Sequence, residues 1–163
     1  VAYNIIGGGE EDGKKNIRTK EEADHSLPYM ISVMILDGNV LPDQYKASRI
    51  LKEVVQQLLQ KVQVNKKTGY SERFPGQMAC DITISLKDGR QFSIEKKDYE
   101  GFHTRRASWD TIIDKFNNLS KAFVKREVLE KIIATVQNLE KYKISGLMEI
   151  LENLRQPVFE FNH

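Results

Sequence analysis

The stretch LPYMISVMIL, residues 27–36, places Leu27, Tyr29, Met30, Ile31, Val33, Met34, Ile35 and Leu36 around the full circumference of a helix. A helix apolar on every face must be covered on every face, and a small domain seldom has enough of its own chain to do so. The stretch falls well short of the ~20 apolar residues that a bilayer demands, so the cover is expected to be protein rather than lipid. Its ends are set by local chemistry. Thr19 with Glu22 fits a capping box, Ser26 before Leu27-Pro28 fits a second cap, and Asp37-Gly38 fits a stop. One helix ending at Gly38 is expected, with Asp24, His25 and Ser26 at its mouth.

Around this segment the apolar pattern changes period. Residues 1–6, VAYNII, are β-prone, and GGGEEDGKKN after them reads as a charged surface loop. Residues 48–62 form an amphipathic helix with Ile50, Leu51, Val54, Val55, Leu58, Leu59 and Val62 inward and Gln56, Gln57 and Gln60 outward. GYSERFPGQ reads as loop. A β-hairpin follows near residues 78–97, where Met78, Cys80, Ile82, Ile84 and Leu86 alternate with polar neighbours. A two-residue Asp88-Gly89 turn would put Phe92 and Ile94 on the wrong face. A three-residue loop, Lys87-Asp88-Gly89 with Gly89 left-handed, pairs Ile84 with Phe92 and Ile82 with Ile94, and this register is expected.

The remaining segments are helical: one opened by Ser108 with Trp109, Ile112, Ile113, Phe116, Leu119 and Phe123 apolar, one over residues 126–142 and one over residues 145–154. RQPVFEFNH at the end reads as irregular. The order implies an α+β fold: a two-layer domain over residues 1–107, with helices on a small antiparallel sheet, followed by helices over residues 108–163.

Composition narrows the function classes. The 163 residues carry a net charge of +2 with acidic and basic side chains interleaved, so no nucleic-acid partner is expected. Cys80 is the single cysteine, which excludes an intrachain disulfide and a cysteine-built metal or iron–sulfur site, and neither a metal nor a cofactor is expected. The sequence shows no signal peptide and no membrane span, and a cytoplasmic location is expected. It opens without Met inside a β-prone run, which suggests processing or a fragment.

Four motifs invite chemistry. Gly8, Gly13 and Lys14 have phosphate-loop spacing, but Lys15 replaces the hydroxyl residue that holds magnesium and Glu10, Glu11 and Asp12 would repel phosphates. RRAS, residues 105–108, has the form of a phosphorylation site, and Ser108 is more simply a helix cap. Asp24-His25-Ser26 does not make a catalytic triad, because adjacent residues at a helix start point apart. A helix start does offer free N–H groups to a carboxylate, beside which His25 would donate or move a proton. GFHTRR adds His103, Arg105 and Arg106, and guanidinium forks suit a polycarboxylate.

Taken together, RTKEEADHSLPYMISVMILDG resembles the R-E-T-A-D-H-S-x-P-Y segment, apolar helix and D-G stop of the MmgE/PrpD family, with Lys20 and Glu21 where that family usually has Glu-Thr. ITISLKDGRQFS resembles its second-domain hairpin, YEGFHTRRASWDTIIDKFNNL its linker and following helix with Lys115-Phe116, and VLEKIIATVQNLEKYKISGLMEIL its last helices. The resemblance covers nearly the whole chain. It implies the smaller α+β lid and C-terminal helices of a metal-independent lyase, packed in the whole enzyme on an all-helical domain that has no counterpart here. The implied reaction is proton abstraction and elimination on a small tricarboxylic acid, as in 2-methylcitrate dehydratases of propionate metabolism. The chain alone would then be inactive. The resemblance further implies that His25 is catalytic, that Tyr3, Asp24, Ser26, His103, Arg105 and Arg106 bind substrate, and that the enzyme is a homodimer. The alternative is a stand-alone α+β interaction module, or the lid subunit of a split enzyme.

Overall fold

A computed structural model describes residues 2–9, 14–152 and 154. The chain forms two compact units, residues 1–95 and 96–163. The irregular tail expected at residues 155–163 and the centre of the glycine-rich loop, residues 10–13, lie outside the described residues.

In the first unit, VAYNII forms a short helix, α1 (Ala2–Ile5), rather than a strand. A strand needs a neighbour for its backbone ladder, and the two strands of the described sheet pair with each other. Helix α2 (Lys20–Asp24) and helix α3 (Leu27–Asp37) follow as two helices instead of the single one expected. The capping box forms as its spacing predicts: Thr19 Oγ1 accepts from the Glu22 N–H at 3.2 Å, and the Glu22 carboxylate accepts from the Thr19 N–H at 2.9 Å. The Arg18 N–H, at 2.7 Å, and the Thr19 N–H hold the Glu22 carboxyl below its ordinary range. At the far end α3 stops where Gly38 turns left-handed, with φ 74°.

The expected second helix is also divided, into α4 (Ala47–Ile50) and α5 (Glu53–Leu59). Its supposedly outward glutamines explain the break. The Gln56 side-chain amide donates to the Ile50 and Ile17 carbonyls, both at 2.8 Å, and Gln60 donates to the Lys15 carbonyl at 2.8 Å. Side-chain amides thus satisfy an irregular incoming segment and an interrupted helix end that no ladder serves. The core beneath them consists of Ile17, Ala23, Tyr29, Val33, Ile50, Val55 and Leu59, flanked by Val40 and Tyr45. Tyr29 is fully buried and its hydroxyl donates to the Gln44 carbonyl. Burial pushes its phenol up to about 12 against the pull of the Arg49 cation, so it stays protonated and donating. Asp37 accepts from Arg49 Nε at 2.9 Å and Gln44 Nε2 at 3.1 Å, pinning the end of α3 to the 3₁₀ turn at Pro42–Tyr45 and to α4.

GYSERFPGQ is not all loop: α6 (Thr68–Arg73) occupies its first half, and Phe74-Pro75 is cis. Tyr70 and Arg73 reach from α6 to Glu95 at 3.1 and 2.7 Å, and Lys67 reaches Asp81 at 3.2 Å, tying this helix to the hairpin. The hairpin consists of β1 (Cys80–Ser85) and β2 (Gln91–Lys96). Its register is the three-residue-loop one. The Leu86 N–H donates to the Arg90 carbonyl at 2.9 Å, Thr83 meets Ser93 at 2.7 Å, and Gly89 sits at φ 88°. The apolar face lies opposite α3: Met30, Met34, Ile35 and Val40 line one open groove with Ile82 and Ile84. Helix α3 is therefore covered on one side only within this unit, with Met34 and Ile35 each 49% exposed.

The second unit contains α7 (Trp109–Ser120), α8 (Arg126–Gln137) and α9 (Ile144–Glu152). Ser108 caps α7 by accepting from the Thr111 N–H at 3.1 Å, the simpler of its two sequence readings. Helix α8 ends earlier than expected because Asn138 leaves helical geometry and its side chain donates to the Ala134 carbonyl at 3.1 Å. Among the described residues of this unit, Phe102, Leu129 and Ile132 are the buried hydrophobic ones, while the apolar stripe of α7 stays open, with Trp109 46% exposed. The architecture is α+β, as the sequence pattern predicts.

Candidate functional site

The kink between α2 and α3 is built from three consecutive side chains that turn to three different partners. Asp24 Oδ2 accepts from Lys20 Nζ at 3.1 Å, a hydrogen bond that also raises the Lys20 ammonium above its usual range. His25 leaves helical geometry, and its ring Nδ1 lies 3.0 Å from the Glu21 carbonyl oxygen. Ser26 is fully buried: its hydroxyl donates to the Lys14 carbonyl at 2.6 Å and accepts from the Tyr29 N–H at 3.1 Å. No Ser–His–Asp relay exists here, in agreement with the argument from adjacency.

The carboxylate site expected at the start of α3 is absent, because the helix start has no N–H to spare. The Leu27 N–H is taken by the Ile6 carbonyl at 2.7 Å, Pro28 has none, the Tyr29 N–H goes to Ser26 Oγ, and the Met30 N–H closes on the Ser26 carbonyl. Ser26 is thus a capping residue, and its hydroxyl is not available to a ligand. Of the three, His25 alone is both exposed and chemically versatile. Tyr3 lies half-buried in α1, whose approach to the rest of the unit demands Gly7: a Cβ there would stand 2.7 Å from the Tyr3 carbonyl oxygen and 2.9 Å from Val64.

The other polar cluster belongs to the second unit. A tight turn closes through the Gly101 N–H to the Arg105 carbonyl at 2.8 Å and the Arg105 N–H to the Phe102 carbonyl at 2.8 Å. Phe102 anchors it, with the Tyr99 ring at 5.3 Å and the His103 ring at 4.2 Å. Arg105 pairs with Asp98 at 3.3 Å, whereas Arg106 is exposed and has no ion pair among the described residues. Sequence reasoning missed Glu100. Its carboxylate accepts from the Ser108 N–H at 2.7 Å and from Thr111 Oγ1 at 2.8 Å, fastening the turn to the head of α7 and lowering its own pKa. Its partners lie eight and eleven residues away with no periodic signature, so no sequence pattern points to it. Among the described residues no three His, Cys, Asp or Glu side chains gather as a metal site would require.

Residues 1–141 match the model of the MmgE/PrpD C-terminal domain. The chain belongs to the MmgE/PrpD family. The match thus takes in the first unit, the turn with His103 and Arg105, and α7 and α8. Similar curated proteins are cis-aconitate decarboxylase of Homo sapiens, 27% identical over 133 residues, and that of Mus musculus, 26% identical over 122 residues. These alignments take in 82% and 75% of this chain but 27% and 25% of the relatives, so the chain spans about a quarter of their length. Among the described residues no helix is long and apolar enough to cross a membrane.

Proposed function

We propose that this chain is the C-terminal part of a MmgE/PrpD-type lyase acting on a small polycarboxylic acid, with His25 at its reacting centre. The observation that carries the reading is the family match together with an exposed imidazole whose orientation is fixed by the backbone. A group held in one geometry is what proton transfer at a substrate carbon requires. In the second unit, Arg106, with its fork unengaged, and His103 are the carboxylate-binding groups, and Arg105 shares its charge with Asp98. The remainder of the enzyme, an all-helical domain, covers the open groove between α3 and the hairpin, and the assembled enzyme is a cytoplasmic homodimer. Dehydration of 2-methylcitrate is the specific reaction proposed, with decarboxylation of cis-aconitate, the activity named for the human and mouse relatives, as its nearest competitor.

The test is to express the whole open reading frame and assay 2-methylcitrate for water loss and cis-aconitate for carbon dioxide release. His25→Ala is expected to lower turnover by on the order of 10²-fold or more with the circular dichroism spectrum unchanged. Absence of turnover and of binding for every polycarboxylate tried would sink the lyase reading. A second reading, a non-catalytic module or split-enzyme lid, draws on the same open apolar groove. A monodisperse chain that ignores an apolar dye would favour it.

A further inference from the structure

The contact between His25 and Glu21 decides more than the position of a ring. A backbone carbonyl has lone pairs and no proton, so it can only accept; the 3.0 Å approach of Nδ1 to the Glu21 oxygen is a hydrogen bond only if Nδ1 carries the hydrogen. In the neutral imidazole the other nitrogen must then be bare. Nε2 has no hydrogen-bond partner among the described residues, and the side chain is exposed. The usual orienting carboxylate is missing: adjacent Asp24 is engaged by Lys20 at 3.1 Å, and the backbone takes its place.

We propose that His25 enters the reaction as a proton acceptor through Nε2, with the Glu21 carbonyl as the positioning group that fixes the tautomer. This rests on the lyase reading above and adds the direction of proton movement. The bond between hydrogen and the substrate carbon next to a carboxylate breaks, its electron pair stays on the substrate, and the proton bonds to Nε2. The product is an imidazolium with both nitrogens protonated, still donating to the Glu21 carbonyl. Neutral His25 therefore cannot open the reaction as a hydrogen-bond donor to a carboxylate. It becomes a donor only after it has taken the proton.

The test reads the nitrogens directly. The chain has three histidines, so long-range proton–nitrogen correlation spectra of the nitrogen-15-labelled chain and of His25→Asn assign the His25 ring by subtraction. In alkaline buffer, where the ring is read in its neutral form, the expected pattern is protonated Nδ1 and bare Nε2. An Nε2–H ring, or an average of the two tautomers, overturns the proposal and leaves the lyase reading standing. The variants separate the two ideas further. In the whole enzyme, His25→Asn keeps a donor at the Nδ1 position and should preserve α2 while losing on the order of 10²-fold in turnover. His25→Gln offers an amide near the Nε2 position and should lose as much. Turnover retained by His25→Asn alongside an Nδ1–H ring in the parent chain removes His25 from the reaction and overturns the proposal from the other side.

Discussion

Residues 17–59 and the hairpin over residues 80–95 belong to the same compact unit, and both carry strong apolar patterns, yet they use them differently. The first region closes on itself, burying Ile17, Tyr29, Val33, Ile50, Val55 and Leu59 to within 1% of zero exposure. In the hairpin every strand residue is exposed, and Ile82 and Ile84, on the strand face they share with Phe92 and Ile94, look across an open groove at an open face of α3. A period-2 or period-3.6 pattern specifies which face will be buried once something arrives to cover it; it does not supply the cover. What separates the regions is the presence of a second layer. Around Tyr29 the chain turns back twice, through the Asp37–Arg49 pair and through the glutamine amides of α5, while on β1 and β2 the described residues of α6 reach only the charged face, at Asp81 and Glu95, and leave the apolar face open.

The largest predicted effect tests that contrast directly. Tyr29→Ala should cost about 3–5 kcal/mol, the price of a large cavity in a core with no slack, whereas Phe92→Ala, at 56% exposure, should cost about 1 kcal/mol or less. Urea denaturation followed by far-ultraviolet circular dichroism measures both. Equal losses would mean that the hairpin face is as well packed as the core and would break the comparison. Gly7→Ala should come next, at about 1–3 kcal/mol, because the added carbon has the Tyr3 carbonyl at 2.7 Å and must push α1 away from Val64. Gly76→Ala is the control: its nearest contact, the Arg73 carbonyl at 3.4 Å, leaves room for a methyl group.

A smaller effect follows the Asp37–Arg49 pair through pH. The Arg49 hydrogen bond, helped by Gln44, holds the Asp37 carboxyl below its ordinary range. Its folded pKa then lies under the unfolded value of ~3.9, so the stabilisation is complete above that value and disappears as pH falls through the folded one. Asp37→Asn should therefore cost about 1–2 kcal/mol at neutral pH and progressively less in acid, with the two stability curves converging as pH falls through the folded value. Curves that stay parallel to the acid limit would show that the pair stabilises the first region by shape rather than by charge.

What was legible in the sequence sorts along the same line. Local rules held wherever one or two hydrogen bonds decide the outcome: the Thr19–Glu22 box, the caps at Ser26 and Ser108, the left-handed Gly38, and the loop register that puts Ile84 opposite Phe92. Reading failed where a side chain bonds to a distant backbone. Gln56 and Gln60 look like solvent-facing residues of one long helix, and nothing in a 3.6 period says that Gln56 will instead serve the Ile17 and Ile50 carbonyls and allow the break between α4 and α5. The site fared likewise. His25 is legible as the imidazole beside Asp24 at the mouth of an apolar helix, but the bond from the Leu27 N–H to the Ile6 carbonyl, which removes the supposed anion site, leaves no mark in the sequence. VAYNII misled for a related reason, since β-propensity counts only where a neighbouring strand exists.

The smallest effect on stability should be the most informative about the groove. Ile84→Glu places a charge on a strand residue that is already 38% exposed, and unfolding free energy should move by no more than about 0.5 kcal/mol. Binding of an apolar dye and concentration-dependent light scattering should nevertheless fall, because the charge divides the patch that Met34 and Ile35 extend from α3. In the longer protein that the proposed function implies, the same substitution should behave in the opposite way. If the helical remainder packs on this groove, the charge is buried there without a partner and the cost rises to several kcal/mol. One variant measured in two contexts thus separates a face that is merely apolar from a face that has a fixed occupant. Equal, small costs in both would place the rest of the protein elsewhere.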